Sequence, residues 1–370
     1  MNNQPVIHCF VTNDINQDQR MHRICTTMSS MNCSVILTGR LRKNSMPLLS
    51  LPFEQKRIKC FFNSGILFYL EYNLRILFQL LSNTPDVIYS VDTDTLPACT
   101  AAKIILRKKM IFDSHEFFTE VPELSNKPVK KAIWKFVEKI CIPYADKSIT
   151  VNKSLSEILS KEYKKEFIPV YNVPFLQNQS TVIHQNKNII LYQGVLNLGR
   201  GLEVLIDAMQ WLPDICLVIA GEGDLSDSLR KQASSSPDSA RITFTGWLTP
   251  EELNTLTSQA FLGLNLLENS SLNYYYSLAN KFFDYMHAGV PSLNMDFPEY
   301  RHWLEKYETG YLVQELTPRS IADAVNQIVY DKATYDRKRL NCIQAAEKFN
   351  WENESIKIST IISDLLPKIQ

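Results

Sequence analysis

Short apolar runs alternate along this chain with stretches in which apolar residues recur every three or four positions. The runs Val6–Val11, Ser34–Leu37, Val87–Val91, Met110–Phe112 and Ser148–Val151 read as strands. Between them the spacing predicts helices over Arg20–Met31, Leu96–Lys108 and Val129–Pro143. After a polar stretch, Leu176–Asn188, the style repeats. Strands are expected at Asn188–Tyr192, Ile215–Ala220, Ile242–Phe244, Phe261–Leu266 and Val290–Leu293. Helices are expected at Gly201–Trp211, Leu225–Ala233 and Pro250–Ser258. Continuously apolar strands suit sheets covered on both faces, so the alternation predicts α/β architecture with parallel sheets. The natural arrangement is two Rossmann-like domains facing across a cleft, residues 1–175 and 188–348, with ligands at the carboxyl ends of the strands.

A length of 370 residues fits two domains, and 45% hydrophobic residues suffice for two cores. The formal net charge is zero, but it is unevenly spread. Residues 1–180 carry 23 Lys and Arg against 16 Asp and Glu, and residues 181–370 carry the reverse. A basic first half suits an anionic ligand or surface, or is simply solvated. Eight cysteines are scattered without a close pair, which reads as reduced core cysteines of a cytosolic protein. The strand-like Pro5–Val11 follows the start at once, so no signal peptide is expected. The apolar helix candidate Ile66–Leu81 carries Glu71 and Arg75 and is short for a bilayer.

The most informative segment runs from Ser277 to Pro291: a tight turn, a short amphipathic helix, a stop at Gly289 and a buried strand. A turn whose N–H groups open a helix is a ready anion site, to which Lys281 adds charge. Asp284 lies one helical turn after Asn280 and Lys281 and can face the same ligand. Such a combination suits a nucleotide, with phosphates on the amides and ribose hydroxyls on the carboxylate. The plainer reading is an amphipathic helix whose Phe282, Phe283 and Met286 are core.

Asn280, Lys281, Phe282, Asp284, Tyr285, Met286, Ala288, Gly289 and Pro291 fall in register with a motif of known enzymes. The segment resembles the nucleotide-sugar half of GT-B glycosyltransferases, in the large retaining family that includes bacterial α-mannosyltransferases, and within it a polysaccharide-biosynthesis branch. The resemblance implies transfer of a sugar from a nucleotide-sugar donor, UDP- or GDP-linked, to a glycan or lipid-linked acceptor. It places Asp284 on the ribose and Ser277, Leu278, Ala279, Asn280 and Lys281 around the donor. Two positions depart from the family pattern: Tyr276 stands where the first of two glutamates is usual, and Ala279 replaces a proline.

Other motifs follow in the family's order. Tyr192–Glu203 is a strand, a loop and a helix start, in which Gly194 and Gly201 let backbone approach a ligand. Arg200 projects from the helix mouth, and in resembling enzymes a basic residue here grips the diphosphate. A second basic residue common in the family is Val195 here. Gly221, in Ile219–Asp224, resembles the next glycine turn beside the nucleotide. Leu248, after Phe244-Thr-Gly-Trp, resembles the position whose backbone reads the base. Thr249 with Glu252 is also a plain capping box.

In the first half, Asp113-Ser-His-Glu116 gathers three ionisable groups that acid–base catalysis, metal binding or sugar hydrogen-bonding could use. The resemblance points to the third, with His115 at the donor sugar and Glu116 at the acceptor. His115, Arg200 and Lys281 are then the expected catalytic groups. In Val11–Arg23 a glycine pair usual in relatives is missing. Asp14 and Arg20 are candidate acceptor ligands, and Asp18 a helix cap. Asp92-Thr-Asp94 is a D-x-D sequence far from the nucleotide motifs, read as loop, cap or acceptor-side residues. No metal and no cofactor are expected, because helix-mouth amides and basic side chains serve the phosphates. No H-E-x-x-H, Walker loop, G-x-S-x-G or nucleic-acid module occurs. Residues 349–370 resemble the terminal helix that crosses back onto the first domain. A fold-sharing alternative is a nucleotide-sugar 2-epimerase; another is a non-catalytic sugar-binding subunit. Lys127, Lys130, Lys131, Lys135 and Lys139 on a helix with Val129, Ile133, Trp134, Phe136 and Ile140 suit an anionic membrane surface, unless the apolar face is core. The protein is then expected in the cytoplasm, or peripheral at the inner membrane face.

Overall fold

The computed structural model describes residues 4–176 and 188–366. Most of the expected linker, 177–187, lies outside the described residues. The chain forms two units, residues 1–172 with 352–370, and residues 173–351.

The first unit is built on seven strands: β1 (Val6–Phe10), β2 (Ser34–Arg40), β3 (Glu54–Ile58), β4 (Val87–Val91), β5 (Lys109–Ser114), β6 (Lys147–Thr150) and β7 (Phe167–Pro169). Their order is β3-β2-β1-β4-β5-β6-β7, and every pairing is parallel. The second unit has six: β8 (Ile189–Gln193), β9 (Cys216–Ala220), β10 (Ile242–Gly246), β11 (Leu262–Asn265), β12 (Ser292–Met295) and β13 (Gly310–Val313). Their order is β10-β9-β8-β11-β12-β13, again all parallel. The expected α/β class with two Rossmann-like sheets is what the chain adopts.

Each sheet reverses its winding once, between β1 and β4 and between β8 and β11. In open α/β sheets, ligands bind outside the carboxyl ends at such switch points. The central strands are the apolar ones the sequence revealed; all five residues of β4 are buried. Three strands went unpredicted. β3 reads Glu-Gln-Lys-Arg-Ile, and as an edge strand it has no need of an apolar run. β7 and β13 are short edge strands of three and four residues.

The helix after β4 runs over Asp92–Leu106, so it begins four residues before the expected Leu96. Its polar opening, Asp-Thr-Asp-Thr, hid the start. The last helix, Trp351–Leu365, belongs to the first unit from Glu352 onward. The Glu354 carboxylate accepts from Tyr171 N–H (2.9 Å), and Lys147 pairs with Asp364 (2.8 Å).

Candidate functional site

In the second unit the ends of β8, β9 and β10 are laced together by loop backbone. Gly194 N–H donates to the Ala220 carbonyl and Gly221 N–H to the Gly246 carbonyl, both at 2.9 Å. A Cβ on Gly221, which has φ +134°, would sit 2.0 Å from the Gly194 carbonyl oxygen, so only glycine fits. β10 bends between Phe244 and Gly246 and delivers an exposed Trp247 and a half-buried Leu248.

The helix Asn280–His287 buries Phe282, Phe283, Tyr285 and Met286 on its core side. The plainer reading of this helix, with Phe282, Phe283 and Met286 in the core, therefore holds, and its other side carries Asn280 and Asp284. Tyr285 clamps it to β8, accepting from Gln193 N–H (3.2 Å) and donating to the Leu191 carbonyl (2.9 Å). The helix opens at Ala279 without a side-chain cap. Two of the amides expected to face phosphate are already used. Ser277 N–H donates to the Tyr274 carbonyl (3.2 Å) and Ala279 N–H to the Tyr300 hydroxyl (3.0 Å). The turn is thus held rigid by these two and is not an open row of donors.

Lys281 is buried at 8% exposure, with its ammonium 3.6 Å from the centre of the Tyr192 ring. Burial drives its pKa well below the usual lysine range, Arg200 adds to the fall, and Asp284 opposes it. The Arg200 guanidinium carbon lies 5.0 Å from the Tyr274 ring centre, and its buried Nε has no hydrogen-bond partner among the described residues. Gln193 donates to Asp284 (3.1 Å) and is itself fixed by the Thr257 hydroxyl (2.8 Å). A Cβ on Gly194 would approach Lys281 Nζ to 3.4 Å. One strand edge therefore gathers Gly194, Arg200, Lys281 and Asp284, two cations against one carboxylate. Buried cations without full compensation are costly, and a bound anion removes that cost.

In the first unit, Asp113, next to last in β5, has 0% exposure and accepts from three sides. Arg20 reaches it through Nε (3.2 Å) and Nη2 (3.0 Å), Tyr89 through its hydroxyl (2.8 Å), and His115 through Nε2 (3.1 Å). Arg20 also donates to the Val170 carbonyl (2.7 Å) and is 3% exposed. It holds Asp113 and is not positioned as an acceptor ligand, which corrects the sequence expectation. Asp14 is likewise engaged: it caps the turn Ile15–Gln17 and pairs with Arg57 (2.8 Å). Asp18 caps the helix Gln19–Ser30, as the plainer reading held.

Burial alone would lower the His115 pKa, but Asp113 and then Asp92 outweigh it and hold the imidazole at about 9. Asp92 accepts from the His115 backbone N–H (2.8 Å) and has φ +55°, a strained value for a side-chain-bearing residue. Burial raises its pKa well above the usual carboxylate range. Asp94, buried and accepting from the Thr12 hydroxyl, is raised to about 7. Glu116 lies near enough to contribute to both shifts. Among the described residues no group of three or more His, Cys, Asp and Glu side chains is placed to hold a metal ion.

A His raised above its unfolded value stabilises the fold fully below about pH 6.5 and loses that contribution as pH rises through about 9. The gap in melting temperature between the protein and its His115→Gln variant should therefore shrink as pH rises across that window. A gap that stays constant would contradict the Asp113–His115 pairing.

Sequence reasoning counted Asp113 among the ionisable groups without giving it a role of its own, and gave none to Gln193, Tyr192 and Tyr300. Asp113 stood two positions before His115, at the end of a strand, and that proximity was the available signal. Gln193 and the two tyrosines had no signal, because their roles depend on partners far along the chain.

Residues 176–349 match the family described as glycosyl transferases group 1. Among curated proteins, the chain is 23% identical to a chitobiosyldiphosphodolichol beta-mannosyltransferase of Candida albicans, over 61% of this chain and 55% of that one. The chain spans about half the length of the curated relatives it matches. Among solved structures, Anabaena HepE in complex with UDP-glucose superposes with a TM-score of 0.76 at 14% identity, covering 97% of this chain and 100% of that one. Sucrose-phosphate synthase of Thermosynechococcus elongatus gives a TM-score of 0.77 at 16% identity, covering 98% and 99%. With two parallel Rossmann-like sheets of the GT-B type, the chain carries over residues 176–349 a domain of the group 1 glycosyltransferases.

Proposed function

We propose that the protein transfers a sugar from a UDP- or GDP-linked donor to a glycan or lipid-linked acceptor, with retention, in cell-surface polysaccharide biosynthesis. The observation that carries this is the buried Lys281 with the half-buried Arg200 beside Asp284 at the carboxyl edge of β8. A donor diphosphate supplies the anion that this corner lacks. Arg200 and Lys281 take the charge that develops as the diphosphate leaves. Asp284 holds the ribose, with Gly221 and Leu248 beside the nucleoside. His115, kept cationic by Asp113, donates to the donor sugar or the incoming acceptor, and Glu116 borders the acceptor. UDP and UDP-glucose in complexes of structurally similar proteins support a nucleotide-sugar donor. The dolichol-linked substrate in the curated relatives' name supports a lipid-linked acceptor.

The direct test is thermal shift with UDP-, GDP- and ADP-sugars, since a ligand of the native state raises its apparent stability by mass action. A sugar nucleotide of one base should raise the melting temperature; no response to any of them would contradict the donor site. Retention is checked by NMR of the product. An α-linked product from an α-linked donor supports it; a β-linked product, the kind the curated relatives' name describes, contradicts it.

Phosphate charge met by Arg200 and Lys281 leaves no role for a divalent ion. Turnover should survive EDTA, and loss of turnover restored by Mn²⁺ would overturn that assignment. Tyr276, in place of a usual glutamate, favours one other reading, a sugar-binding subunit without turnover. It caps the short helix Leu272–Tyr275 and packs edge-on against Tyr275 (5.0 Å).

No helix of the described residues is long and apolar enough to cross a membrane. A lipid-linked acceptor would be reached by peripheral attachment at the inner membrane face.

A further inference from the structure

The two cations at the carboxyl edge of β8 each lie on the face of a tyrosine. The Lys281 ammonium is 3.6 Å from the centre of the Tyr192 ring, and the Arg200 guanidinium carbon is 5.0 Å from that of Tyr274. Among the described residues neither cation makes an ion pair or a hydrogen bond. Asp284 acts on Lys281 through its charge alone.

Both rings are fixed by the protein itself. Tyr192, in β8, is 1% exposed, and its hydroxyl donates to the Val195 carbonyl (2.9 Å). That bond is made at the edge of the ring and leaves its face to Lys281. Tyr274 lies in the short helix Leu272–Tyr275, where its N–H donates to the Ser271 hydroxyl (3.2 Å). The loop that carries Arg200 closes on the same ring. A Cβ on Gly199, which has φ +82°, would come within 2.7 Å of Tyr274 Cε2, so this close approach needs glycine. The loop is also tied from behind, since the Gly199 carbonyl accepts from Glu268 N–H (2.9 Å).

What holds a cation decides what it can still bind. A carboxylate partner takes up N–H groups and cancels the charge. An aromatic face attracts the charge and takes up none of them in a strong hydrogen bond. Cations seated on rings therefore keep their donors and their charge for a ligand rich in anionic oxygens.

We propose that Tyr192 and Tyr274 are positioning residues for the donor diphosphate, Tyr192 holding Lys281 and Tyr274 holding Arg200 with their N–H groups free for phosphate oxygens. The inference rests on the nucleotide-sugar reading and deepens it, by naming what aims the two cations. It also yields a readout that plain packing does not move. Burial and Arg200, from the loop after β8, disfavour the charged form of Lys281, whereas Asp284 on its own helix favours it. The Tyr192 ring favours it as well. Diphosphate affinity should thus fall as pH rises through the depressed lysine pKa, and loss of the ring should move that fall to lower pH.

The test is calorimetric titration of the full chain with UDP and with GDP from about pH 6 to about pH 10. Tyr192→Leu should weaken binding of the diphosphate roughly tenfold or more and shift its alkaline fall to lower pH. Tyr192→Phe keeps the ring and should behave as wild type. Tyr192 is a core residue, so Tyr274→Leu, at a half-buried position, gives an independent measurement. It should weaken binding similarly, and Tyr274→Phe should not. Wild-type affinity in both leucine variants would overturn the proposal, as would equal losses in the phenylalanine and leucine variants. A weaker Tyr192→Leu with an unshifted pH profile would assign that ring to packing and overturn its role. If wild type binds one of the two nucleotides and the leucine variants bind it equally well, only the ring assignment falls. If wild type binds neither, the donor reading falls and the inference with it.

Discussion

Asp284→Ala and Arg200→Ala are each expected to lower kcat/KM for transfer by roughly 10², with the fold intact, in line with loss of a charged hydrogen bond. Asp284 is half-buried and accepts from Gln193, which Thr257 holds from behind. The carboxylate is thus pre-aimed, and removing it costs the interaction without opening the core. It also removes the one negative neighbour that favours the charged form of Lys281. Arg200 faces Tyr274 and its Nε has no partner among the described residues, so alanine there removes a cation whose one described contact is that ring face. Steady-state kinetics with the donor found by thermal shift would separate the two. A contact equal in ground and transition states raises KM alone, and one made to the departing diphosphate lowers kcat. Wild-type kinetics in either variant would remove that residue from the site.

Asp113→Ala should be the most destabilising single change at the first unit's strand edge, by about 3–5 kcal/mol, because it strands a buried charge. Arg20 at 3% exposure would keep only its bond to the Val170 carbonyl, and Tyr89 and His115 would each lose an acceptor. Arg20 and His115 hold the Asp113 pKa well below the carboxylate range against strong burial. The double variant Arg20→Met with Asp113→Ala should recover part of the loss, since no lone charge then remains buried. Urea unfolding measures both. A loss below about 1 kcal/mol in Asp113→Ala, ordinary for any substitution, would mean that the pair does not act as described.

What the sequence showed and what it hid follow from range. β4 and β8 were legible because a central parallel strand must be apolar throughout, and that is a local property. β3 was hidden because its partner β2 supplies the pairing while its own residues stay polar. Asn280–His287 was legible as a motif, and Asp284 and Lys281 do share its polar side. The use of the Ala279 amide by Tyr300 was not legible, since the two meet only through tertiary packing. Arg20 shows the same limit. Its sequence neighbourhood suggested a surface ligand, and only its distant partner Asp113 shows that the guanidinium is buried. The exposed stripe of Val129, Ile133, Phe136 and Ile140 on the helix Pro128–Cys141 is the converse case. Its periodicity was plain in sequence, but the side on which the core lies was not.

The central claim is sugar transfer, and acceptor-dependent release of nucleoside diphosphate tests it most directly. The purified chain would be given its stabilising sugar nucleotide with and without a polyprenyl-diphosphate-linked glycan, and both free nucleoside diphosphate and labelled acceptor would be measured. The account predicts release only when the glycan is present, in step with sugar on the acceptor, and release lost in Arg200→Ala. Release without acceptor accompanied by a C2-epimerised sugar, or donor binding with no turnover under any condition, would contradict it.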